Sequence, residues 1–319
     1  MRERLRRNRF LVVGRAGLDL YADPPGTEIE NANGFLAALG GSAANIAVAI
    51  AQQGGTSALL SAVSDDAVGR YTTTALANYG VVTTHIKIVG GETRNSLAVV
   101  ETRVENCQSV IYRNGAADFE VSEADASAVD YSEFAAVIAT GTGLAREPSR
   151  GATLKALMLA RAAGLVTIID IDYRPYSWAS KSEARQVCSQ AAELCDIVVG
   201  NDDEFAVLSD DGNSLQHAEA MAGRTDRIIV HKMGDKGCIT FANGTRIDTP
   251  IFRVKALKPT GAGDGFMGGF IAALAAGSTV QDAVRRGAAT AAIVVTRVGC
   301  APAMPSAADV HSFMQTHSN

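Results

Sequence analysis

Residues 259–270 read Pro-Thr-Gly-Ala-Gly-Asp-Gly-Phe-Met-Gly-Gly-Phe and run directly into an apolar helical stretch, 271–276. Five glycines fall between Thr260 and Phe270. A glycine inside a helix costs roughly 1 kcal/mol relative to alanine, so the segment is built for something other than helix stability. With glycine at 261 and 263, successive backbone N–H groups can point into one concavity at a helix N-terminus. The helix dipole favours an anion there too. Asp264 then stands at the edge of an anion site, where a carboxylate is redundant or repulsive unless it accepts a proton. An ordinary N-cap aspartate after a glycine-rich turn is the competing reading of Asp264. That reading leaves Gly268 and Gly269 unexplained, and these two predict close packing of the helix against another backbone.

Two familiar nucleotide motifs are excluded by counting. A G-x-G-x-x-G fingerprint starting at Gly261 needs glycine at 266, where Phe266 stands, and no segment supplies the G-x-x-x-x-G-K-[ST] of a P-loop. A phosphate site with an acid beside it, and no Walker lysine, points to phosphoryl transfer to a hydroxyl.

Composition bounds the rest. The 319 residues are 47% hydrophobic and 20% charged with a net charge of −5, which predicts a globular protein and argues against general nucleic-acid binding. No apolar run approaches the ~20 residues of a membrane span. The one charge run, Arg2-Glu3-Arg4-Leu5-Arg6-Arg7-Asn8-Arg9, precedes an apolar stretch of only 10–13, too short for an export signal, and is expected to be a frayed, solvated terminus. Five cysteines without metal spacing read as reduced thiols of a cytoplasmic protein. His231 lies in a strand-like run and reads as a core or edge histidine.

Short apolar runs at 10–13, 58–63, 135–139, 166–171, 196–199 and 228–231 alternate with alanine-rich helical stretches at 42–53, 69–79, 149–163 and 181–194. Near-continuous apolar strands are expected where both faces are covered, so the pattern predicts a doubly wound α/β core with parallel strands. Segments 15–38 and 92–113 break it, the second alternating like exposed antiparallel strands. Both are expected to form a small sheet projecting from a single domain spanning 1–319.

Further candidates fall at predicted strand ends, where open α/β sheets place ligands. Gly14-Arg15-Ala16-Gly17-Leu18-Asp19 and Gly40-Gly41-Ser42-Ala43-Ala44-Asn45 put Asp19 and Asn45 within reach of polyol hydroxyls, or else form a turn and a helix cap. Asn201-Asp202-Asp203-Glu204 suits a hydrated magnesium ion, or a helix N-terminus stabilised by acids. Lys232-Met233-Gly234-Asp235-Lys236-Gly237 is a turn by composition and a possible nucleotide-phosphate contact. Arg113 and Arg174 follow predicted strands, and arginine forks pair bidentately with carboxylates or phosphates.

In this order the motifs resemble the ribokinase-like (PfkB) sugar kinase family over almost the whole chain. Thr260-Gly261-Ala262-Gly263-Asp264-Gly265-Phe266-Met267-Gly268-Gly269-Phe270 is similar to its C-terminal signature and Gly40-Gly41-Ser42-Ala43-Ala44-Asn45 to its N-terminal one. The resemblance implies a three-layer α/β core with a β-sheet lid that often mediates a homodimer. It implies Asp264 as the base, and Gly261, Ala262 and Gly263 as the anion hole. Asp19, Gly41 and Asn45 would contact the sugar. Asn201 and Glu204 would serve magnesium and phosphate, Glu204 holding Mg²⁺ through water. Lys232, Gly234 and Gly237 would line the ATP side. The stretches around Arg15, Arg113 and Arg174, with Gly141-Thr142-Gly143-Leu144-Ala145, resemble the branch that phosphorylates keto-deoxy sugar acids. The implied acceptor is 5-dehydro-2-deoxygluconate of inositol catabolism, with 2-keto-3-deoxygluconate or fructose as alternatives. A sugar-sensing regulator that kept the fold and lost the chemistry is the alternative of another class. Members that bind a monovalent cation carry an aspartate six residues before the base. Lys258 stands there in this chain, which puts that cation in doubt.

Overall fold

Strands with alternate residues buried on opposite faces need cover on both sides, and this chain provides it. The computed structural model describes residues 1–209, 212–223 and 227–317. The strands are β1 (Arg9–Val13), β2 (Gly17–Asp23), β3 (Gly34–Gly40), β4 (Thr56–Ser64), β5 (Ile86–Val89), β6 (Ser96–Val100) and β7 (Ser109–Tyr112). After them come β8 (Ala136–Thr140), β9 (Val166–Asp170), β10 (Ile197–Asn201), β11 (Ile228–Lys232), β12 (Cys238–Ala242) and β13 (Thr245–Thr249). The helices are α1 (Arg2–Leu5), α2 (Ser42–Gln52), α3 (Ala67–Asn78), α4 (Glu123–Ser127), α5 (Ser149–Ala162) and α6 (Lys181–Glu193). They continue with α7 (Asp202–Leu208), α8 (Ser214–Ala222), α9 (Ala262–Ala275), α10 (Val280–Val294) and α11 (Ala307–Thr316).

Among the described residues nine strands make one sheet in the order β13-β12-β11-β10-β9-β8-β1-β4-β5. It is parallel from β11 to β5, with β12 and β13 added antiparallel at one edge. The period of two divides its side chains between two cores. Phe10, Val12, Ile138, Ile168, Ile197, Val199 and Val230 pack with α2, α9 and α10. Leu11, Val13, Val137, Ile169, Val198 and Ile229 pack with α5, α6 and α8. This is the three-layer, doubly wound arrangement that the apolar runs predict.

The second sheet has the order β3-β2-β6-β7 and uses the two segments that broke the α/β pattern. Its pairs are antiparallel except β2 with β6, which are parallel because the core elements between them return the chain in the same direction. Its inner face, with Tyr21, Ala38, Ala98 and Val100, packs against Cys300. The edge strands β13 and β5 do not read as short apolar runs, whereas β12, Cys-Ile-Thr-Phe-Ala, is one that was not singled out.

The N-terminus departs from the frayed, solvated expectation. Leu5 is fully buried in the core beside α9, and Arg4 and Arg7 donate to the carbonyls of Gly164 and Ser132. The single apolar residue in a basic run anchors it. No helix among the described residues is long and apolar enough to cross a membrane.

Candidate active site

The glycine-rich stretch opens α9. Gly261 caps the helix with φ +81°, a left-handed conformation that glycine adopts without steric cost, and a methyl group there would stand 2.8 Å from Cys300 Sγ. The first turn of a helix has no internal acceptors for its N–H groups, so those of Ala262, Gly263 and Asp264 are left to face an anion. Asp264 lies in that turn, and its Oδ2 accepts a hydrogen bond from Asn45 Nδ2 at 2.8 Å. Burial first, then the negative charge of Asp172, pushes its pKa up to about 8, with Asn45 and Arg174 opposing. A carboxylate tuned to that range suits a general base.

Asn45 sits in the first turns of α2, whose N-cap is Gly41 at φ +99°. A methyl on Gly41 would lie 2.4 Å from the Arg15 carbonyl, so the double glycine lets the loop after β1 pack backbone-to-backbone on the helix. The amide of Asn45 is thereby committed to the base, and its Oδ1 is buried without a partner. Asp19 on β2 is buried as well. Its Oδ2 accepts from Tyr21 Oη at 3.1 Å, while Oδ1 is left without a donor. Burial raises its pKa, opposed by Arg15. Buried polar atoms are almost always hydrogen-bonded, so these two orphan oxygens mark where a ligand hydroxyl would donate. Arg15 is nearly buried and donates from Nη1 to Ser96 Oγ at 3.0 Å.

Across the cleft, the two-residue period sets polar groups at the ends of three neighbouring strands. Ile168, Val199 and Val230 face the α9 side, so Asp170, Asn201 and Lys232, two residues on, share that face. Lys232 Nζ lies 3.5 Å from Asp170 Oδ1, and a methyl on Gly263 would be 3.4 Å from the same nitrogen. Asn201 and Glu204 form a reciprocal capping box on α7, with Asn201 N to Glu204 Oε2 at 2.7 Å and Glu204 N to Asn201 Oδ1 at 2.9 Å. The helix-cap reading of this motif thus holds, and Glu204 still keeps Oε1 free of the cap. Burial pushes Glu204 up to about 7, with Lys232 opposing and Asp170 and Asp172 adding to the rise. Asp172 has φ +38° and an unpartnered buried Oδ2, and its Oδ1 pairs with Arg174 at 2.6 Å. Arg174 also lies 3.9 Å from Glu204.

The remaining sequence candidates are less central. Arg113 is bound to Asp118 and to the Thr142 carbonyl and lies over the Phe119 ring, so its fork is occupied by the protein. Gly234 begins a short 3₁₀ turn, and a methyl on Gly237 would meet the Thr249 carbonyl at 2.2 Å; both glycines shape the β11–β12 turn. Trp178 is core, as is His231, which packs against Phe205; burial lowers its pKa, with Asp202 opposing. Lys258 does not point into solvent. It is fully buried, its ammonium bound to the Thr260 carbonyl, and burial lowers its pKa against Cys300 and Asp264. Asp170, Tyr21 and Tyr176 were not singled out from sequence. Asp170 had a readable signal, a carboxylate closing an otherwise apolar strand.

The family model described as pfkB family carbohydrate kinase matches residues 7–307. A 5-dehydro-2-deoxygluconokinase of Photobacterium profundum is 36% identical over 312 residues, 96% of this chain and 94% of that protein. A 5-dehydro-2-deoxygluconokinase 1 of Bacillus cereus is 34% identical over 314 residues, 96% and 95% of the two chains. A double-mutant fructokinase of Vibrio cholerae O395, solved with fructose, ADP and a potassium ion, is similar with a TM-score of 0.84 at 26% identity, covering 96% of this chain and 97% of that one.

Proposed function

This chain belongs to the pfkB family of carbohydrate kinases, and we propose that the sugar it phosphorylates is 5-dehydro-2-deoxygluconate, at the terminal primary hydroxyl. The names of the two relatives carry this choice. The site supports it with positive charge: burial raises the phenol of Tyr176, and Arg174 and Arg15 oppose the rise more than Asp172 adds to it. Guanidinium charge on that side suits an acidic sugar better than a neutral hexose.

In this reading other hydroxyls of the sugar donate to the orphan oxygens of Asp19 and Asn45, and Asp264 takes the proton of the terminal hydroxyl as its oxygen attacks the γ-phosphorus of ATP in line and the bond to the bridging oxygen of ADP breaks. The N–H groups of Ala262 and Gly263 face the charge on the transferring group. Most of the acceleration comes from positioning and electrostatics, since base assistance is typically worth 10²–10⁴-fold. The inner face of the small sheet, acting as a lid, excludes water that competes as acceptor.

The hard oxygen donor of Glu204, raised by burial to about 7 with Asp170 and Asp172 adding to the rise, fits a magnesium ion. Among the described residues no three such side chains converge to chelate a metal alone, so Glu204 would hold it through water. Bound there, Mg²⁺ neutralises phosphate charge. The whole chain works as one domain in this reading, with the lid outer face pairing two copies. The five unpaired cysteines suit a reducing compartment, and we place the protein in the cytoplasm.

A sugar panel with ATP and Mg²⁺ tests the substrate. The expected order by kcat/KM is 5-dehydro-2-deoxygluconate above 2-keto-3-deoxygluconate, with fructose and ribose last. A charge-assisted contact contributes about 1.5–3 kcal/mol, so Arg174→Ala should lower kcat/KM on the acid by roughly 10–150-fold and little on a neutral analogue. Preference for fructose or ribose over every acid overturns this reading.

A further inference from the structure

Asp19 has to present a carboxylate oxygen to the sugar from inside a packed sheet, and two neighbours decide how. On one side stands Gly40 of β3, where a methyl group would overlap the carboxylate. The missing side chain leaves Asp19 room to lie across the neighbouring strand. On the other side stands Tyr21, two residues along β2 and so on the same face, and 1% exposed. Among the described residues its hydroxyl is the one hydrogen-bond donor to Asp19, 3.1 Å from Oδ2. The same Oη lies 3.1 Å from Cys300 Sγ. A phenol has a single proton, and an ionised carboxylate accepts better than sulfur. The phenol proton therefore faces Asp19, and the thiol donates its own to the phenol oxygen. Cys300 keeps that proton, since burial pushes its pKa up to about 11 with Lys258 opposing. The glycine turn wedges the thiol from behind: a methyl on Gly261 would stand 2.8 Å from Sγ. A thiol in the core thus orders a phenol on the small sheet, and the phenol orders the carboxylate.

We propose that Tyr21, held by Cys300, is a positioning residue for the sugar: its hydroxyl ties Oδ2 of Asp19 to the protein and turns the orphan Oδ1 to the substrate. An unrestrained carboxylate rotates about its last bond, and that freedom is lost when a hydroxyl binds. Holding the second oxygen in advance removes the cost. Asp19 accepts from a hydroxyl that does not react, so the benefit falls on sugar binding and not on the transfer step. The phenol also keeps the carboxylate an acceptor at both oxygens. Burial raises the pKa of Asp19, and after Arg15 the phenol is the next group to oppose the rise. The inference rests on the kinase reading, with Asp19 as a sugar contact.

The test is steady-state kinetics on the full-length enzyme with the best sugar of the panel. The variants are Tyr21→Phe, Cys300→Ala, Cys300→Ser, Asp19→Ala, and Asp19→Ala combined with Tyr21→Phe. Tyr21→Phe keeps the ring in the core and removes one oxygen. It should raise KM for the sugar roughly tenfold, with kcat and KM for ATP changed less than about threefold. Cys300→Ala should raise the sugar KM about threefold, and Cys300→Ser, which keeps a donor, should restore it. In the Asp19→Ala background Tyr21→Phe should add nothing, because it acts only through the carboxylate. An unchanged sugar KM in Tyr21→Phe overturns the assignment, as does a loss in kcat alone. Multiplication of the two effects in the combined variant marks a general role in packing and overturns it too. If Tyr21→Phe does not fold, the Cys300 pair decides, and equal sugar KM values for alanine and serine overturn the proposal. A raised KM in Asp19→Ala beside an unchanged one in Tyr21→Phe sinks Tyr21 alone; an unchanged KM in Asp19→Ala removes Asp19 from the sugar site and this inference with it.

Discussion

Asp264 shows how a single residue is tuned by what surrounds it. Its pKa rises from 3.8 to about 8, so across that window the folded state holds a proton that the unfolded chain has released. Its contribution to stability is present below the window and is lost as pH rises through it. Asp264→Asn should therefore raise the melting temperature by a few degrees at about pH 8.5 and by much less at about pH 4.5, while kcat falls by roughly 10²–10⁴-fold. Near wild-type turnover without that pH-dependent gain would remove the residue from the chemistry. Lys258 is the second residue to test. The fructokinase of Vibrio cholerae was solved with potassium, but Lys258 has only donors and cannot ligate that ion. Its buried ammonium, bound one residue before Gly261, places a tethered charge at the loop. Activity should be the same in K⁺ and Na⁺ at constant ionic strength, and Lys258→Met should cost roughly tenfold or more in kcat. Several-fold stimulation by K⁺ would overturn this.

The decisive element is α9. Its glycines have separate roles. Gly261 bends the chain into the turn, whereas Gly268 and Gly269 let two helices approach. A methyl on Gly268 would stand 2.2 Å from Ala49 Cβ on α2, and one on Gly269 would stand 2.2 Å from Thr290 Oγ1 on α10. The sequence predicts that close packing, and α2 and α10 supply the partners. The α2 contact also sets the distance from Asn45 to Asp264, so packing and chemistry are linked there. An exposed helical Gly→Ala gains about 1 kcal/mol, whereas overpacking costs about 1–3. Gly268→Ala should thus lower the denaturation midpoint and kcat together. Gly90→Ala, where nothing lies within 4 Å, should leave both unchanged. An unaltered midpoint for Gly268→Ala would show that the helices separate freely.

For the whole molecule, the small sheet matters twice, because its inner face carries Asp19 and its outer face is apolar. Strand register puts Ala37, Leu20, Val99 and Val110 in one row, and Leu97 beside Tyr112 in the next. Phe35 is 40%, Val110 45% and Tyr112 59% exposed, an apolar sheet face without cover among the described residues. A dimer through this face should sediment at twice the monomer mass at micromolar concentration, and Val110→Asp should halve it. A monomeric wild type would count against the pairing.

The chain alone determined the alternation of buried strands and helices, because two covered faces require continuous apolar runs. It also determined the glycine turn at the start of α9, because a side chain is strained in that backbone conformation. Asp19, Asn45, Asp264, Asn201 and Glu204 were legible for the same local reasons, as residues at strand ends and helix caps. The tertiary structure decided what depends on distance across the chain. It gave the Asn45 amide to Asp264, closed the Arg113 fork on Asp118, buried Lys258, docked Leu5, and set Lys232 between Asp170 and Gly263. Each of these joins segments, or settles an orientation, through packing that no local spacing encodes. Sequence period shows which face a side chain takes; only the assembled sheet and its covering helices show what it meets there.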